Sequence, residues 1–126
     1  MEAARVANCT LSSNHSYGFL ITGSSDGGIG AETALSLAAG SSRCILLAGP
    51  SLPKIQPVID PISGAYPDVE TQFIPLDLSS QHAIREAAAD INKTVQSIDI
   101  LINNAAIMAC PLARTADGIE SQFGTN

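Results

Sequence analysis

The stretch ITGSSDGGIGAETALSLAAG, residues 21–40, joins an apolar run to a helical pattern through a turn rich in glycine. Gly23, Gly28 and Gly30 leave three positions of this turn without side chains. Such a turn lets backbone N–H groups and the positive end of the following helix approach a phosphate group. A purely structural turn would carry similar glycines, so its meaning depends on the surrounding elements.

Those elements alternate along the chain. The segments YGFLIT, RCILLAG, VETQFIPLDL and IDILIN predict four buried strands, and SSQHAIREAAADINKTVQ predicts a helix with a serine cap. Alternating strands and helices indicate parallel strands joined by right-handed crossovers. We therefore predict an α/β, Rossmann-type doubly wound parallel sheet, truncated after about four strands.

The pattern also gives domain boundaries. Residues 1–16 show no periodicity and are predicted to form a flexible N-terminal lead-in, whereas residues 17–126 are predicted to form a partial dinucleotide-binding Rossmann domain. Between the second and third strands, apolar residues recur at helical spacing, but Pro57 and Pro61 interrupt them. Since an internal proline removes a backbone donor, we expect a short or broken helix there.

Composition excludes several functions. The 126 residues carry a formal net charge of −6 with only 6 Lys and Arg, which argues against a nucleic-acid partner. Cys9, Cys44 and Cys110 show no CxxC spacing and have no nearby pair of histidines, so no zinc site is expected, and Cys44 is expected to be a small buried apolar residue. With no secretory pattern and no apolar run of about 18 residues, we expect a cytoplasmic protein without membrane contact.

Four motifs in order resemble the short-chain dehydrogenase/reductase family. TGSSDGGIG at residues 22–30 is similar to the family's TGxxxGIG cofactor turn. LDL at 76–78 resembles the acidic turn that contacts adenine, and NNAA at 103–106 resembles the family's NNAG. ESQFGTN at 120–126 resembles the retinol-dehydrogenase-like branch. The resemblance covers the N-terminal, cofactor-binding half of that family.

The resemblance implies an NAD(P)-dependent oxidoreductase, with a small-molecule alcohol or carbonyl substrate in a full-length form. It implies a catalytic Asn126 and the following cofactor-binding residues: Gly23, Ser25, Gly28, Ile29, Gly30, Asp77, Leu78, Asn104 and Ala105. The cofactor is NADP or NAD. The branch slightly favours NADP, but Pro50 stands where relatives carry an arginine for the 2′-phosphate, which weakens that preference.

Other departures concern the turn and the catalytic group. The turn has one residue more than TGxxxGIG, which is expected to push Asp26 and Gly27 outward. Ala106 replaces the last glycine of NNAG, which is expected to cost some cofactor affinity. The family's catalytic Ser and Tyr-x-x-x-Lys are missing, since Tyr17 and Tyr66 are not followed by lysine four residues later.

Asn126, as the last residue, is expected to fray. We therefore expect these residues alone to be inactive. Two alternatives remain open: a non-catalytic nucleotide-binding or regulatory module that self-associates through an exposed sheet edge, and a non-functional fragment.

Overall fold

The computed structural model describes residues 17–40 and 42–126; the predicted lead-in at 1–16 lies outside this part of the chain. Within it, strands and helices alternate as β1 (Gly18–Thr22), α1 (Ile29–Ala39), β2 (Cys44–Gly49), α2 (Leu52–Ala65), β3 (Glu70–Pro75), α3 (Gln81–Thr94), β4 (Ile100–Ile102) and α4 (Ser121–Thr125).

The four strands form one parallel sheet in the order β3-β2-β1-β4. The register pairs Leu20 of β1 with Leu46 of β2 on one side and with Leu101 of β4 on the other. The chain thus builds outward from β1 to β3, then crosses back to place β4 on the other side of β1. The predicted Rossmann-type sheet is confirmed, and the carboxyl ends of all four strands share one edge.

Alternate side chains of the strands face two separate layers of core. On one face, Ile21 and Leu47 pack with the buried stripes of α1 and α2. On the other, Leu46 and Cys44 pack against Ala87 of α3 and its neighbours. Cys44 is only 3% exposed, as expected for a small apolar core residue. Helices on both faces are what a parallel sheet requires.

Helix α2 runs unbroken through both internal prolines, so the expectation of a short or broken helix is wrong. The reason lies in the spacing of Pro53, Pro57 and Pro61. Each missing donor at Pro57 and Pro61 would have bonded the carbonyl of the proline four residues earlier. All three prolines are exposed, so water can satisfy those carbonyls, while Ile55 and its stripe remain packed on the sheet.

Two contacts fix the amino end of α3. The Ser80 hydroxyl accepts a hydrogen bond from the Ala83 amide at 3.3 Å, which confirms the predicted serine cap. The Asp117 carboxylate accepts another from the Gln81 amide at 2.8 Å, across 36 residues of sequence. The segment that follows β4 is thereby tied to α3.

Strand β4 forms one edge of the sheet and is partly open to solvent. Its Ile100 is 42% exposed and its Leu101 is 54% exposed, and no strand among residues 17–40 and 42–126 pairs with the outer side of β4, so apolar surface accompanies this backbone edge. None of the helices in the described ranges is both long and apolar enough to cross a bilayer.

We expect Pro57→Ala to stabilise the protein, because alanine restores the backbone donor to the carbonyl of Pro53 and removes the ring from an interior turn. The free energy of unfolding, measured by urea titration, should rise by roughly 1–3 kcal/mol. Pro53→Ala is the matched control, since the second helical position has no intrahelical bond to restore, and it should change little. Equal effects of both variants would contradict this account of α2.

Candidate functional site

A cleft of about 590 Å³ opens where the carboxyl ends of the strands meet. Each strand contributes a wall residue at or just after its end, including Thr22, Gly49, Leu76 and Asn104. This is the edge of a doubly wound sheet at which ligands bind, beside the point where the strand order reverses between β1 and β4.

The glycine turn forms the floor of the cleft, and Gly23 and Gly30 have no space for a side chain. Gly23 has a φ of +71°, and a Cβ there would lie 2.7 Å from the Cα of Ala105. A Cβ on Gly30 would lie 2.7 Å from the Gly23 carbonyl oxygen and 2.6 Å from the side-chain nitrogen, Nδ2, of Asn104. Glycine at these positions therefore lets the turn, α1 and the segment after β4 pack in direct contact.

The amino end of α1 points its open donors toward this floor. The helix begins at Ile29 after Gly28, and no side chain of the described chain caps it. The Ile29 side chain lines the cleft and is 80% exposed. Uncapped backbone N–H groups, with the positive end of the helix dipole, suit an anionic ligand such as a diphosphate.

Ser25–Gly28 form a tight turn at the rim of the cleft. The Gly28 amide donates to the Ser25 carbonyl at 3.1 Å, and Gly27 has a φ of +75°. The Asp26 amide donates to the Lys54 carbonyl in α2 at 2.8 Å. Asp26 and Gly27 are both exposed, so the additional residue of the turn protrudes as expected and is held against α2.

A hydrogen-bond network joins the end of β1 to the segment after β4. The buried Thr22 hydroxyl accepts from the Asn104 amide at 3.1 Å and from the Ala105 amide at 3.0 Å. The Asn104 side chain donates in turn to the carbonyls of Thr22 and Gly23, each at 3.0 Å. The side-chain amide of Asn104 therefore holds the glycine turn in place.

Asp77 supplies a negative charge at the other end of the cleft. Hydrogen bonds from the hydroxyl of Ser79 at 2.6 Å and from its amide at 2.8 Å hold the pKa of the Asp77 carboxyl below its usual range. Asp77 is thus ionised at neutral pH. It lines the cleft together with Leu76 and Leu78.

Asn126 does not fray in the structure. Its side-chain oxygen accepts from the Ile107 amide at 2.8 Å, and its side-chain nitrogen donates to the Ile107 carbonyl at 2.9 Å.

Gln122 of α4 accepts from the amide of Ala109, whose φ is +53°. Glu120 caps α4, and the hydrogen bond from the Phe123 amide is the main cause of its lowered pKa. Helix α4 thus fixes the strand-to-helix segment beside the cleft.

The structure brings the predicted site residues together. Eight of the ten line the cleft: Gly23, Ser25, Gly28, Ile29, Asp77, Leu78, Asn104 and Ala105. Gly30 lies beneath it, packed on Asn104, and Asn126 holds a wall residue, Ile107. Sequence reasoning missed Thr22, although a threonine at the end of the strand before the turn was the available signal.

The profile described as short chain dehydrogenase matches residues 19–126. The chain belongs to the short-chain dehydrogenase family. It is 41% identical over 107 residues to human retinol dehydrogenase 13, covering 85% of this chain and 32% of that protein. The mouse protein of that name is 39% identical over 107 residues, covering 85% and 31% respectively. The chain spans about a third of the length of these relatives, and the predicted family is confirmed.

Solved structures of the family share the fold. A metagenomic short-chain oxidoreductase in complex with NADP aligns with a TM-score of 0.65 at 30% identity, covering 72% of this chain and 39% of that one. An NAD⁺-bound xylitol dehydrogenase aligns with a TM-score of 0.63 at 27% identity, covering 72% and 34%. One structure bound to NADP and one bound to NAD⁺ therefore match this sheet.

We expect Gly30→Ala to destabilise the protein, because its methyl group must displace the side-chain amide of Asn104 and the backbone carbonyl of Gly23. The loss in free energy of unfolding should be roughly 1–3 kcal/mol. Gly64→Ala is the control: a Cβ at this position of α2 meets nothing within 4 Å, so the variant should gain up to about 1 kcal/mol. Urea titration measures the free energy of unfolding of both variants. A Gly30→Ala variant as stable as the parent chain would contradict the close packing around Gly30.

Proposed function

We propose that these residues form the nucleotide-binding part of an NAD(P)-dependent oxidoreductase. The observation that carries the proposal is the uncapped amino end of α1, which opens onto a cleft lined by eight of the predicted cofactor residues. Nothing larger than a hydrogen atom stands on the three glycines of the turn, so a diphosphate can reach the N–H groups of the helix.

Each part of the cleft has a role in the proposal. Ile29 and Gly30 offer the open N–H donors and the helix dipole for the diphosphate, and Gly28, whose amide bonds the Ser25 carbonyl, leaves room for it. Asp77, held ionised by Ser79, accepts a hydrogen bond from the exocyclic amine of adenine. Asn104 serves by holding the turn, since its amide is bonded to backbone carbonyls. Ser25 and Ala105 line the walls.

When bound, a nicotinamide dinucleotide supplies a carbon that donates or accepts hydride. The substrate of a longer form would be a small-molecule alcohol or carbonyl compound, which the names of the dehydrogenase relatives support. The 126 residues contain no Tyr-x-x-x-Lys, so they lack the family's group for moving the substrate proton. Asn126 remains a predicted catalytic residue; its paired amide keeps Ile107 at the wall of the cleft.

A second candidate is a non-catalytic nucleotide-binding module that associates with a second copy. The half-exposed Ile100 and Leu101 at the β4 edge favour it, since an open parallel edge with apolar side chains can pair with another strand. Both candidates share the same nucleotide cleft and differ in what covers this edge.

The nucleotide site is tested with ADP-ribose, which lacks nicotinamide. We expect saturable binding of ADP-ribose by the 126-residue chain in calorimetry, and loss of that binding in Gly30→Ala, with Gly64→Ala as the folded control. We also expect no turnover of NADH or NADPH with ketones or aldehydes, since general acid–base catalysis typically contributes about 10² to 10⁴ in rate. No binding by the parent chain would refute the proposed function.

Self-association is tested by sedimentation velocity with Leu101→Lys. If the β4 edge pairs two copies, the parent chain should sediment as a dimer at micromolar concentration and the variant as a monomer, because lysine on an edge strand opposes pairing. Ser63→Lys, on the exposed face of α2, is the control and should not change the mass. A monomeric parent chain would rule out the second candidate.

A further inference from the structure

The end of β2 carries no charge that could select between the two forms of the cofactor. In doubly wound nucleotide sites, an acid near this position bonds the adenosine 2′-hydroxyl, or a base pairs with the 2′-phosphate. Here Ala48, Gly49 and Pro50 line the cleft, and none of their side chains can do either. Any selection must come from a neighbouring element.

Two acids lie near that position: Asp77 lines the cleft and is assigned to adenine in the proposed function, and Asp26 lies in the glycine turn. The hydrogen bond from the Asp26 amide to the Lys54 carbonyl, at 2.8 Å, fixes the tip of the glycine turn against the first turn of α2. Pro50, just before that helix, and Ser25, just before Asp26, both line the cleft. The Asp26 backbone is thus held between cleft-lining Ser25 and the first turn of α2, which follows the end of β2.

We propose that Asp26 makes this site selective for a dinucleotide without a 2′-phosphate, which means NAD rather than NADP. The proposal rests on the proposed function. A nucleotide with its diphosphate at α1 and its adenine at Asp77 must place the adenosine ribose between them, beside Ser25 and Pro50. There the Asp26 carboxylate accepts a hydrogen bond from a ribose hydroxyl and repels a 2′-phosphate.

Lys54, whose carbonyl accepts from the Asp26 amide, is a neighbouring cation, and its effect is weaker. Its exposed ammonium lies at the end of a long flexible side chain, so holding it on a phosphate costs rotamer entropy. The Asp26 carboxylate sits on a short side chain whose backbone is fixed at the tip of a closed turn. The fixed charge therefore determines the selectivity more than the mobile one.

The experiment compares the Kd values of ADP-ribose and 2′-phospho-ADP-ribose for the parent chain, Asp26→Asn, Asp68→Asn and Pro50→Arg. Asp68→Asn removes the same charge from an exposed position before β3, at the opposite end of the sheet. Pro50→Arg adds a guanidinium to the cleft wall and shows whether the assay detects a gain for the 2′-phosphate.

The parent chain should prefer ADP-ribose. Asp26→Asn should shift the ratio of the two Kd values toward the phosphorylated ligand by roughly three- to tenfold, and this shift should shrink in high salt. Asp68→Asn should leave the ratio unchanged. If Asp26→Asn still binds both ligands with an unchanged ratio of Kd values, the role of Asp26 is wrong while the proposed function stands. Failure of the parent chain to bind either ligand would overturn the proposed function and this inference together.

Discussion

The geometry of the cleft depends on the hydrogen bonds between Thr22 and the segment after β4. One buried hydroxyl accepts from two consecutive amides, those of Asn104 and Ala105, and the Asn104 side chain returns two bonds to the end of β1. Buried polar groups of this kind stabilise a structure only when all are paired. Here they join residues 81 to 83 apart in sequence at the place where the sheet reverses its order.

This network explains why glycine is required where it occurs. Because the segment after β4 is held so close to β1, the backbone of Ala105 occupies the space that a Cβ on Gly23 would need. The side-chain nitrogen of Asn104 similarly occupies the space beside Gly30. The Asn104 side chain occupies the carbonyl oxygens of Thr22 and Gly23, whereas no side chain of the described residues caps the start of α1. The same packing that closes the sheet therefore leaves the open end of α1 beside the cleft, as the proposed diphosphate site requires.

The sequence predicted those parts that repeat a local pattern. Alternating apolar runs gave the parallel sheet, and the spacing of Gly23, Gly28 and Gly30 located the floor of the cleft. Contacts distant in sequence were not predictable: nothing before the structure linked Asp117 to Gln81 or Asn126 to Ile107. Helix α2 was mispredicted because the cost of each proline was counted without its exposure.

Helix α2 has a consequence for the motions of the molecule. Its interior lacks two backbone hydrogen bonds, at Pro57 and Pro61, so packing of Ile55, Val58 and Ile62 supplies much of what holds it. Segments with fewer backbone bonds are the ones that open locally before the whole domain unfolds. Because the tip of the glycine turn is bonded to this helix, each opening of α2 also releases the rim of the cleft. Hydrogen exchange at the Asp26 amide would report that coupled opening.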